Sequence, residues 1–366
     1  MSKTKNSITK LLFYIFWTLL LIGKGLGMNS ANPTMVTITW VAIFFAIFKI
    51  LLSKWRKQEL ITTGVLLMLG FVVFIKTHDA AILLTILSIC AVKNIDLHEL
   101  FRYSFWLKGG MFVMRTSLAV ANVIDRQTLV RFDSGDIHTV RYALGYGQPN
   151  ATHYTLFVIY VLMFLSYRNL KIWVFIIAEV YNCFIFLYTN SRTGFIITSL
   201  LIFCIWIIKI RAINKLIYTL SKPLCYTYIG LMVFSFAIPF FIESLMKLAG
   251  PNLGTALARF LTGTAVLDSN AITLFGSGNI KTDFGFVFIG FQYGIIVLLV
   301  YILANTALLK LFFNKRYFIE FFIIVIYALY TIAESYSASI LMNISLILMS
   351  ILLFNNNKEM YFERET

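Results

Sequence analysis

Long, continuous apolar runs are the feature that most restricts how this chain can fold. They follow one another from Leu11 to Phe354, separated mostly by short polar breaks. A transmembrane helix needs about 20 consecutive, predominantly apolar residues, and many of these runs approach that length. The strands of a membrane β-barrel would instead alternate apolar and polar residues, which the runs do not do. The pattern therefore predicts an all-α, polytopic integral membrane protein.

Composition supports this prediction and excludes the main alternatives. Of the 366 residues, 60% are hydrophobic and 13% are charged, whereas soluble domains have about 45–50% apolar and about 25% charged residues. A soluble enzyme, a disordered chain and a fibrous repeat are all excluded by these values. The four cysteines lie inside or at the edges of apolar runs, without metal-binding spacing, and we interpret them as packing residues.

We expect about 12 transmembrane helices in a single domain covering residues 1–366. Two long outer loops, at residues 125–151 and 243–283, interrupt the series. The expected spans are Leu11–Met28, Met35–Ser53, Leu60–Lys76, Ala80–Val92, Leu107–Ile124, Thr152–Tyr167, Ile172–Tyr188, Phe195–Ile208, Cys225–Ile242, Phe284–Leu303, Phe318–Ala333 and Ala338–Phe354.

The basic residues predict the orientation, because cytoplasmic loops carry an excess of Lys and Arg. With the N-terminus in the cytoplasm, 20 of the 31 basic residues fall on the inner side and nine on the outer side. The other two, Lys108 and Arg115, lie within the fifth run. This asymmetry predicts a multi-pass protein of the cytoplasmic membrane with both termini cytoplasmic. It also explains most of the net charge of +15, so no nucleic acid partner is needed.

The first outer loop contains candidate ligands for an anion. Arg131 and Arg141 carry planar guanidinium groups that can donate two parallel hydrogen bonds to phosphate or pyrophosphate. Asn150, which follows Pro149, is expected to cap the sixth span or to lie just before it. The alternative is a solvated loop whose arginines contact lipid headgroups.

Two histidines near this loop are candidate general bases, because histidine titrates near neutral pH. The sequence predicts a short helix over Ile137–Leu144, on which His138 and Arg141, three residues apart, would share a face. His153 is expected in the first turn of the sixth span.

Two more outer segments carry candidate site residues. Arg192 lies at the apex of the short turn Asn190–Gly194, where it is either a ligand or an interfacial anchor. The second outer loop contains Arg259, Asp283 and the segment Phe275–Gly278, whose Gly-Ser-Gly sequence is able to form a backbone nest for an anion.

Ionisable residues within membrane spans are costly and are functional candidates. Arg115 and Glu179 both lie within expected spans, and a structural ion pair between them is the simplest interpretation. Glu334 lies at the outer end of the eleventh span, from which it could orient an outer arginine or histidine.

These residues together resemble a known family. The segments that carry the resemblance are Arg141-x3-Gly145-x-Gly147-x-Pro149-Asn150, Ser191-Arg192-Thr193-Gly194, Arg259-Phe260, Phe275-Gly276-x-Gly278, Asp283 with Gly294, and Glu334-Ser335. From about Arg141 to Asn343 the chain is similar to the bacterial Wzy-type polysaccharide repeat-unit polymerases, which are related to the O-antigen ligases. It lacks the paired Arg-x10-Gly motif of the Gram-negative polymerases, since neither Arg131 nor Arg259 has glycine at that offset. This difference favours a Gram-positive capsule or exopolysaccharide branch.

The resemblance implies transfer of a growing glycan from undecaprenyl pyrophosphate to a lipid-linked repeat unit at the outer face. The arginines would bind the pyrophosphate, and a base would be chosen from His138, His153, Asp283 and Glu334. No cofactor or metal is expected. Besides the lipid-linked oligosaccharide and membrane lipid, a flippase and a chain-length regulator are possible partners.

Two alternatives remain open at the level of sequence. A related ligase would use similar outer-face residues. A lipid-linked oligosaccharide flippase, or another transporter, would usually show internal repeats and site residues near the membrane midplane, whereas most charged candidate site residues here lie in the outer loops.

Overall fold

A computed structural model describes residues 3–29, 32–133, 137–210, 214–241, 244 and 254–363. The described chain is helical apart from one hairpin, β1 (Thr128–Asp133) and β2 (Ile137–Tyr142). The α-helices are α1 (Lys3–Gly25), α2 (Pro33–Leu52), α3 (Lys57–Thr77), α4 (Ala81–Ala91), α5 (Leu97–Val120), α6 (Pro149–Ser166), α7 (Ile172–Thr189), α8 (Arg192–Ile207), α9 (Asn214–Leu224), α10 (Thr227–Ala237), α11 (Gly254–Ser269), α12 (Gly285–Gln292), α13 (Ile295–Lys315), α14 (Phe318–Ala333), α15 (Ser350–Leu353) and α16 (Asn355–Glu363).

Five helices in the described ranges are long and apolar enough to cross a membrane, judged by length and composition. They comprise residues 7–25 of α1 together with α2, α3, α7 and α13. Shorter apolar segments include α4, α8, α10 and α14. The all-helical character predicted from the apolar runs is therefore present, and the number of crossings stays a prediction.

Not every expected span is one continuous α-helix. The run Phe284–Leu303 is divided between α12 and α13, because Gly294 adopts a φ of +95° at the start of α13. A side chain at Gly294 would collide with the carbonyl oxygen of Leu274, so only glycine fits this break. The run that ends at Phe354 contains the 3₁₀ segment Ile344–Met349 before the single turn α15.

The loop expected at residues 125–151 contains a β-hairpin, so the helix predicted over residues 137–144 is wrong. The strands pair antiparallel, with Val130 opposite Val140 and Leu129 opposite Arg141. The β-branched and aromatic residues of β2 favour a strand, and β1 supplies the partner that a sequence window over 137–144 does not contain. The shared helical face predicted for His138 and Arg141 therefore does not exist.

The chain divides into two compact units, and the first comprises residues 1–54, 90–210 and 355–366. Helix α6 is its central element and packs against α5, α7 and α8. All its residues from Thr152 to Ser166 are buried, as expected for a helix surrounded by others. Helix α1 packs against α2 and α5, and β2 contacts α7.

The second unit comprises residues 55–89 and 211–354. Helices α10, α12, α13 and α14 pack against one another within it. Part of its core is formed by the buried side chains of Ile238, Val266, Phe284, Val287 and Phe291. At Gly285 the backbone of α12 lies so close to the end of α14 that a Cβ atom would collide with the carbonyl oxygen of Thr331.

Candidate functional site

The hairpin brings Arg141 to the ends of three helices of the first unit. Its Nε donates to the carbonyl oxygen of Thr189, the last residue of α7, at 2.9 Å. Its Nη2 donates to Asn150 Oδ1, in the first turn of α6, at 2.7 Å. Two bonds to different helices fix the plane of the half-buried guanidinium.

The N-termini of α6 and α8 meet beside Arg141. The hydroxyl of Ser191, which directly precedes α8, donates to Asn150 Oδ1 at 3.0 Å. The amide oxygen of Asn150 thus links α6, the start of α8 and the arginine. Because helix N-termini carry partial positive charge and exposed N–H donors, this junction favours an anion.

Arg192 adds a full charge at the same place, since it is the first residue of α8. Its side chain is exposed. The structure therefore brings together three predicted residues, Arg141, Asn150 and Arg192, from segments that are separate in the sequence.

His153, one turn into α6, is fully buried, and both of its ring nitrogens have protein partners. Nδ1 lies 3.2 Å from Thr189 Oγ1, and Nε2 lies 2.8 Å from Asn182 Oδ1. The ring is therefore connected to Arg141 through Thr189, and in this arrangement it is closed to a sugar hydroxyl. Base catalysis by His153 stays a prediction.

The ion pair expected between Arg115 and Glu179 does not form, because each group has other partners. Arg115 donates through Nε and Nη2 to the carbonyl oxygen of Gly145, at 2.8 and 2.6 Å. The carboxylate of Glu179 accepts a 2.5 Å hydrogen bond from the hydroxyl of Ser199. The arginine thus supports the turn that leads from the hairpin to α6.

The same turn contains Tyr146, whose ring lies 5.7 Å from the guanidinium carbon of Arg115. Its hydroxyl donates to the carbonyl oxygen of Gly25 at 3.2 Å. Burial raises the pKa of the Tyr146 hydroxyl, and the nearby positive charge of Arg115 opposes this shift. The tyrosine is therefore neutral and serves as a structural donor.

Three predicted site residues are placed only by their backbone. Arg131 lies in β1 opposite Thr139, and His138 lies in β2 opposite Phe132. Arg259 lies in α11, in the second unit. The side chains of Arg131, His138 and Arg259 are outside the described part of the structure, so convergence of Arg259 with the other arginines stays a prediction.

The second unit brings the two predicted carboxylate segments to one open pocket of about 320 Å³. Asp283 is exposed there, just before α12. Glu334, at the end of α14, is buried and directly precedes Ser335, which lines the pocket. The remaining lining residues are Thr262, Ile280, Lys281, Thr282 and Phe288.

In the Gly-Ser-Gly segment of this unit, the central N–H group already has a protein acceptor and is not directed at an anion. The amide and the hydroxyl of Ser277 both donate to the carbonyl oxygen of Phe291, at 3.1 Å. The amide of Ile280 donates to Gln292 Oε1 at 2.9 Å. The segment instead packs against the break between α12 and α13.

Sequence reasoning missed the polar residues that connect these groups within the first unit, namely Asn182, Thr189 and Ser199. A signal was present, because Glu179 and Asn182 are three residues apart and therefore share a face of α7. In the described ranges, no group of three or more His, Cys, Asp or Glu side chains is placed to bind a metal ion.

The described structure defines a class of protein. It is a helical chain with several helices long and apolar enough to cross a bilayer, and in its first unit Arg141 and Arg192 lie where α7 ends and where α6 and α8 begin. Comparison with protein-family models, curated proteins and solved structures gives no match. A more specific assignment therefore depends on the residues themselves.

Proposed function

We propose that this chain is a polysaccharide polymerase of the cytoplasmic membrane. It transfers a growing glycan from undecaprenyl pyrophosphate to the sugar of another lipid-linked repeat unit at the outer face. In this proposal the chain crosses the membrane about 12 times, with shorter and broken helices completing the series, and both termini lie in the cytoplasm. The hairpin and α11 belong to the two outer loops.

The observation that carries the proposal is the position of Arg141 where α6 and α8 begin. The leaving group of the reaction is a lipid pyrophosphate, and a fixed guanidinium beside two helix N-termini is suited to bind it. Arg192 supplies a second positive charge in the first turn of α8. Stabilising the charge that develops on a leaving group is often the largest contribution to catalysis.

The proposed chemistry is a substitution at the anomeric carbon of the donor glycan. A sugar hydroxyl of the acceptor attacks this carbon, the bond to the pyrophosphate oxygen breaks, and the hydroxyl proton passes to a base. Asp283 and Glu334, at the pocket of the second unit, are the carboxylate candidates, and His138 and His153 are the histidine candidates. The pocket offers Thr262, Thr282 and Ser335 hydroxyls for a sugar.

Reconstitution with a lipid-linked repeat unit, followed by gel analysis of the products, tests the proposal. We expect Arg141→Lys to lower the rate of polymer formation roughly 100-fold, because lysine keeps the charge but loses the planar pair of donors. Arg102→Lys is the control, since Arg102 is exposed and lies over the Tyr167 ring. Wild-type polymer from Arg141→Ala would contradict the proposal.

The same preparation separates the alternatives. A polymerase extends repeat units supplied on the outer face into a ladder of products. A ligase makes one transfer to a different acceptor, and a flippase moves the lipid-linked unit between leaflets without forming any new glycosidic bond.

A further inference from the structure

A chain of buried hydrogen bonds runs below Arg141 along the interface of α6, α7 and α8. Asn182 is fully buried at its centre. Its Oδ1 lies 2.8 Å from His153 Nε2, and its Nδ2 lies 2.9 Å from Ser199 Oγ. Ser199 donates in turn to Glu179 Oε1 at 2.5 Å. The chain therefore connects a carboxylate within a candidate span to the imidazole.

The orientation of the Asn182 amide follows from its surroundings. On the Nδ2 side lie three groups that can accept a hydrogen bond: Ser199 Oγ, the Phe195 carbonyl at 3.4 Å, and the Glu179 carboxylate at 3.4 and 3.5 Å. A reversed amide would place Oδ1 against the carbonyl and the carboxylate, which have no hydrogen to donate. Oδ1 must therefore face His153.

This orientation fixes the tautomer of His153. An amide oxygen only accepts hydrogen bonds, so the hydrogen between Asn182 and the ring belongs to Nε2. In the neutral ring Nδ1 is then an acceptor. The hydroxyl of Thr189, 3.2 Å away, is the group placed to donate to it.

Thr189 connects the imidazole to the candidate anion site. Its hydroxyl also lies 2.9 Å from the carbonyl oxygen of Ile185, so it has two acceptors to choose between. Its own carbonyl oxygen accepts the Nε bond of Arg141. The state of the ring therefore affects the residue that holds the guanidinium.

We propose that Glu179 is a positioning residue that acts through Ser199 and Asn182 to hold His153 as the Nε2–H tautomer, and thereby holds Thr189 and Arg141 in place. Glu179 is ten residues from the end of α7 at Thr189, or about 15 Å along the helix. It acts on the anion site without touching it. The consequence for catalysis rests on the proposed function, whereas the tautomer does not.

The close approach of α8 to α6 makes this chain possible. A Cβ atom on Gly194 would lie 2.8 Å from both Cβ and Cγ of His153. Glycine at this position thus lets the first turn of α8 approach the imidazole, and Ser199 then lies five residues further along the same helix.

Nitrogen-15 NMR of histidine-labelled protein in lipid tests the tautomer directly. The signals of His153 are identified by their loss in a His153→Gln variant. We expect hydrogen on Nε2 and none on Nδ1 in the wild type. In Glu179→Leu we expect a mixture of tautomers, because the Ser199 hydroxyl no longer donates to the carboxylate and is able to donate to a reversed Asn182 amide. In Ser199→Ala we expect the Nε2–H tautomer to remain, because the Glu179 carboxylate and the Phe195 carbonyl still face the amide. A wild-type ring with hydrogen on Nδ1, or an unchanged ring in Glu179→Leu, overturns the proposal.

Cys183→Leu is the matched control, because Cys183 is exposed on α7 one turn beyond Glu179. It should leave the His153 signals unchanged, and a change equal to that in Glu179→Leu would overturn the proposal. In the polymer assay we expect Glu179→Leu to lower kcat roughly tenfold with little change in KM for the lipid-linked donor, because Arg141 is proposed to stabilise the charge that develops on the leaving group. If the wild type forms no polymer, the proposed function fails while the NMR result still decides the tautomer.

Discussion

At Gly194, the absence of a side chain sets the distance between two helices. Any larger residue has to displace the His153 side chain or move α8, because its Cβ atom would lie 2.8 Å from both Cβ and Cγ of His153. Overpacking of this kind typically costs about 1–3 kcal/mol. The site depends on this contact, since Ser191 at the start of the same helix bonds to Asn150.

We therefore predict that Gly194→Ala lowers the free energy of unfolding by about 1–3 kcal/mol, measured by denaturation in detergent micelles. Gly110→Ala is the control, because no atom lies within 4 Å of a Cβ added there in α5. It should be neutral or stabilising, since alanine favours a helix by about 0.5–1 kcal/mol over glycine. Equal destabilisation by both changes would contradict the packing argument.

Arg115 and Glu179 show what residue type alone can predict. Two opposite charges within apolar runs suggest an ion pair, and the cost of burying them makes that inference reasonable. In the structure, the carbonyl oxygen of Gly145 satisfies the arginine and a hydroxyl from α8 satisfies the carboxylate. Neither partner is visible in the sequence, because a backbone carbonyl belongs to every residue and Ser199 is distant along the chain.

A double-mutant cycle distinguishes these two arrangements. We predict that Arg115→Gln and Glu179→Gln have additive effects on the free energy of unfolding, with a coupling below about 0.5 kcal/mol. Residues without shared partners behave in this way. Breaking a buried ion pair would cost about 3–5 kcal/mol. A coupling energy of that size would therefore indicate that Arg115 and Glu179 do form an ion pair.

At the scale of elements, the long apolar helices were predictable and the pairing of short segments was not. Helices α2, α3 and α7 correspond closely to expected spans, because a continuous apolar run of that length specifies a helix locally. The hairpin depends on β1 and β2 together, and neither strand reveals its partner. Similarly, the break at Gly294 depends on the approach of Leu274 from another segment.

The hairpin register gives a test that a helix or an irregular loop would fail. We predict that Val130→Cys with Val140→Cys forms a disulfide rapidly on mild oxidation, because these residues are directly opposite in the register. Paired residues have Cα atoms about 4.5–5.5 Å apart, which suits a disulfide. Mass spectrometry of proteolytic fragments would detect the peptide that joins positions 130 and 140.

The control for this experiment is Leu129→Cys with Val140→Cys, which shifts the pair by one residue. Successive residues of a strand point to opposite faces, so this pair should remain reduced under the same conditions. Equal yields for both pairs would indicate that the segment is not a paired ladder.

At the scale of the whole molecule, the candidate residues are divided between the two units. The first contains Arg141, Asn150 and Arg192, and the second contains Asp283 and Glu334. Composition and the distribution of charge predicted a membrane protein with candidate site residues in outer loops. Both properties can be counted along the chain without knowledge of how its helices pack. How distant residues meet, as at Thr189 and Asn182, depends on helix packing that no local pattern encodes.

The first unit also brings both ends of the chain to one end of α5. Near the N-terminus, Lys10 of α1 lies 2.9 Å from Glu99, in the first turn of α5. Near the C-terminus, Asn357 Nδ2 donates to the carbonyl oxygen of Val92 at 3.1 Å. In addition, the Tyr361 ring of α16 stacks on His98 with centroids 4.5 Å apart. Helices α1 and α16 therefore both contact the region at the start of α5.

This arrangement, combined with the charge asymmetry, gives the topology prediction. We expect reporters fused to the N-terminus and to the C-terminus both to be cytoplasmic, because basic residues accumulate on that side of membrane proteins and 20 of the 31 lie there in the expected orientation. Val123, which is exposed beyond the other end of α5, supplies the complementary measurement. After Val123→Cys, a membrane-impermeant maleimide added outside intact cells should label this position. Reporters on opposite sides of the membrane would contradict the packing of α1 and α16 at one end of α5, whereas two external reporters would preserve that packing and reverse the orientation.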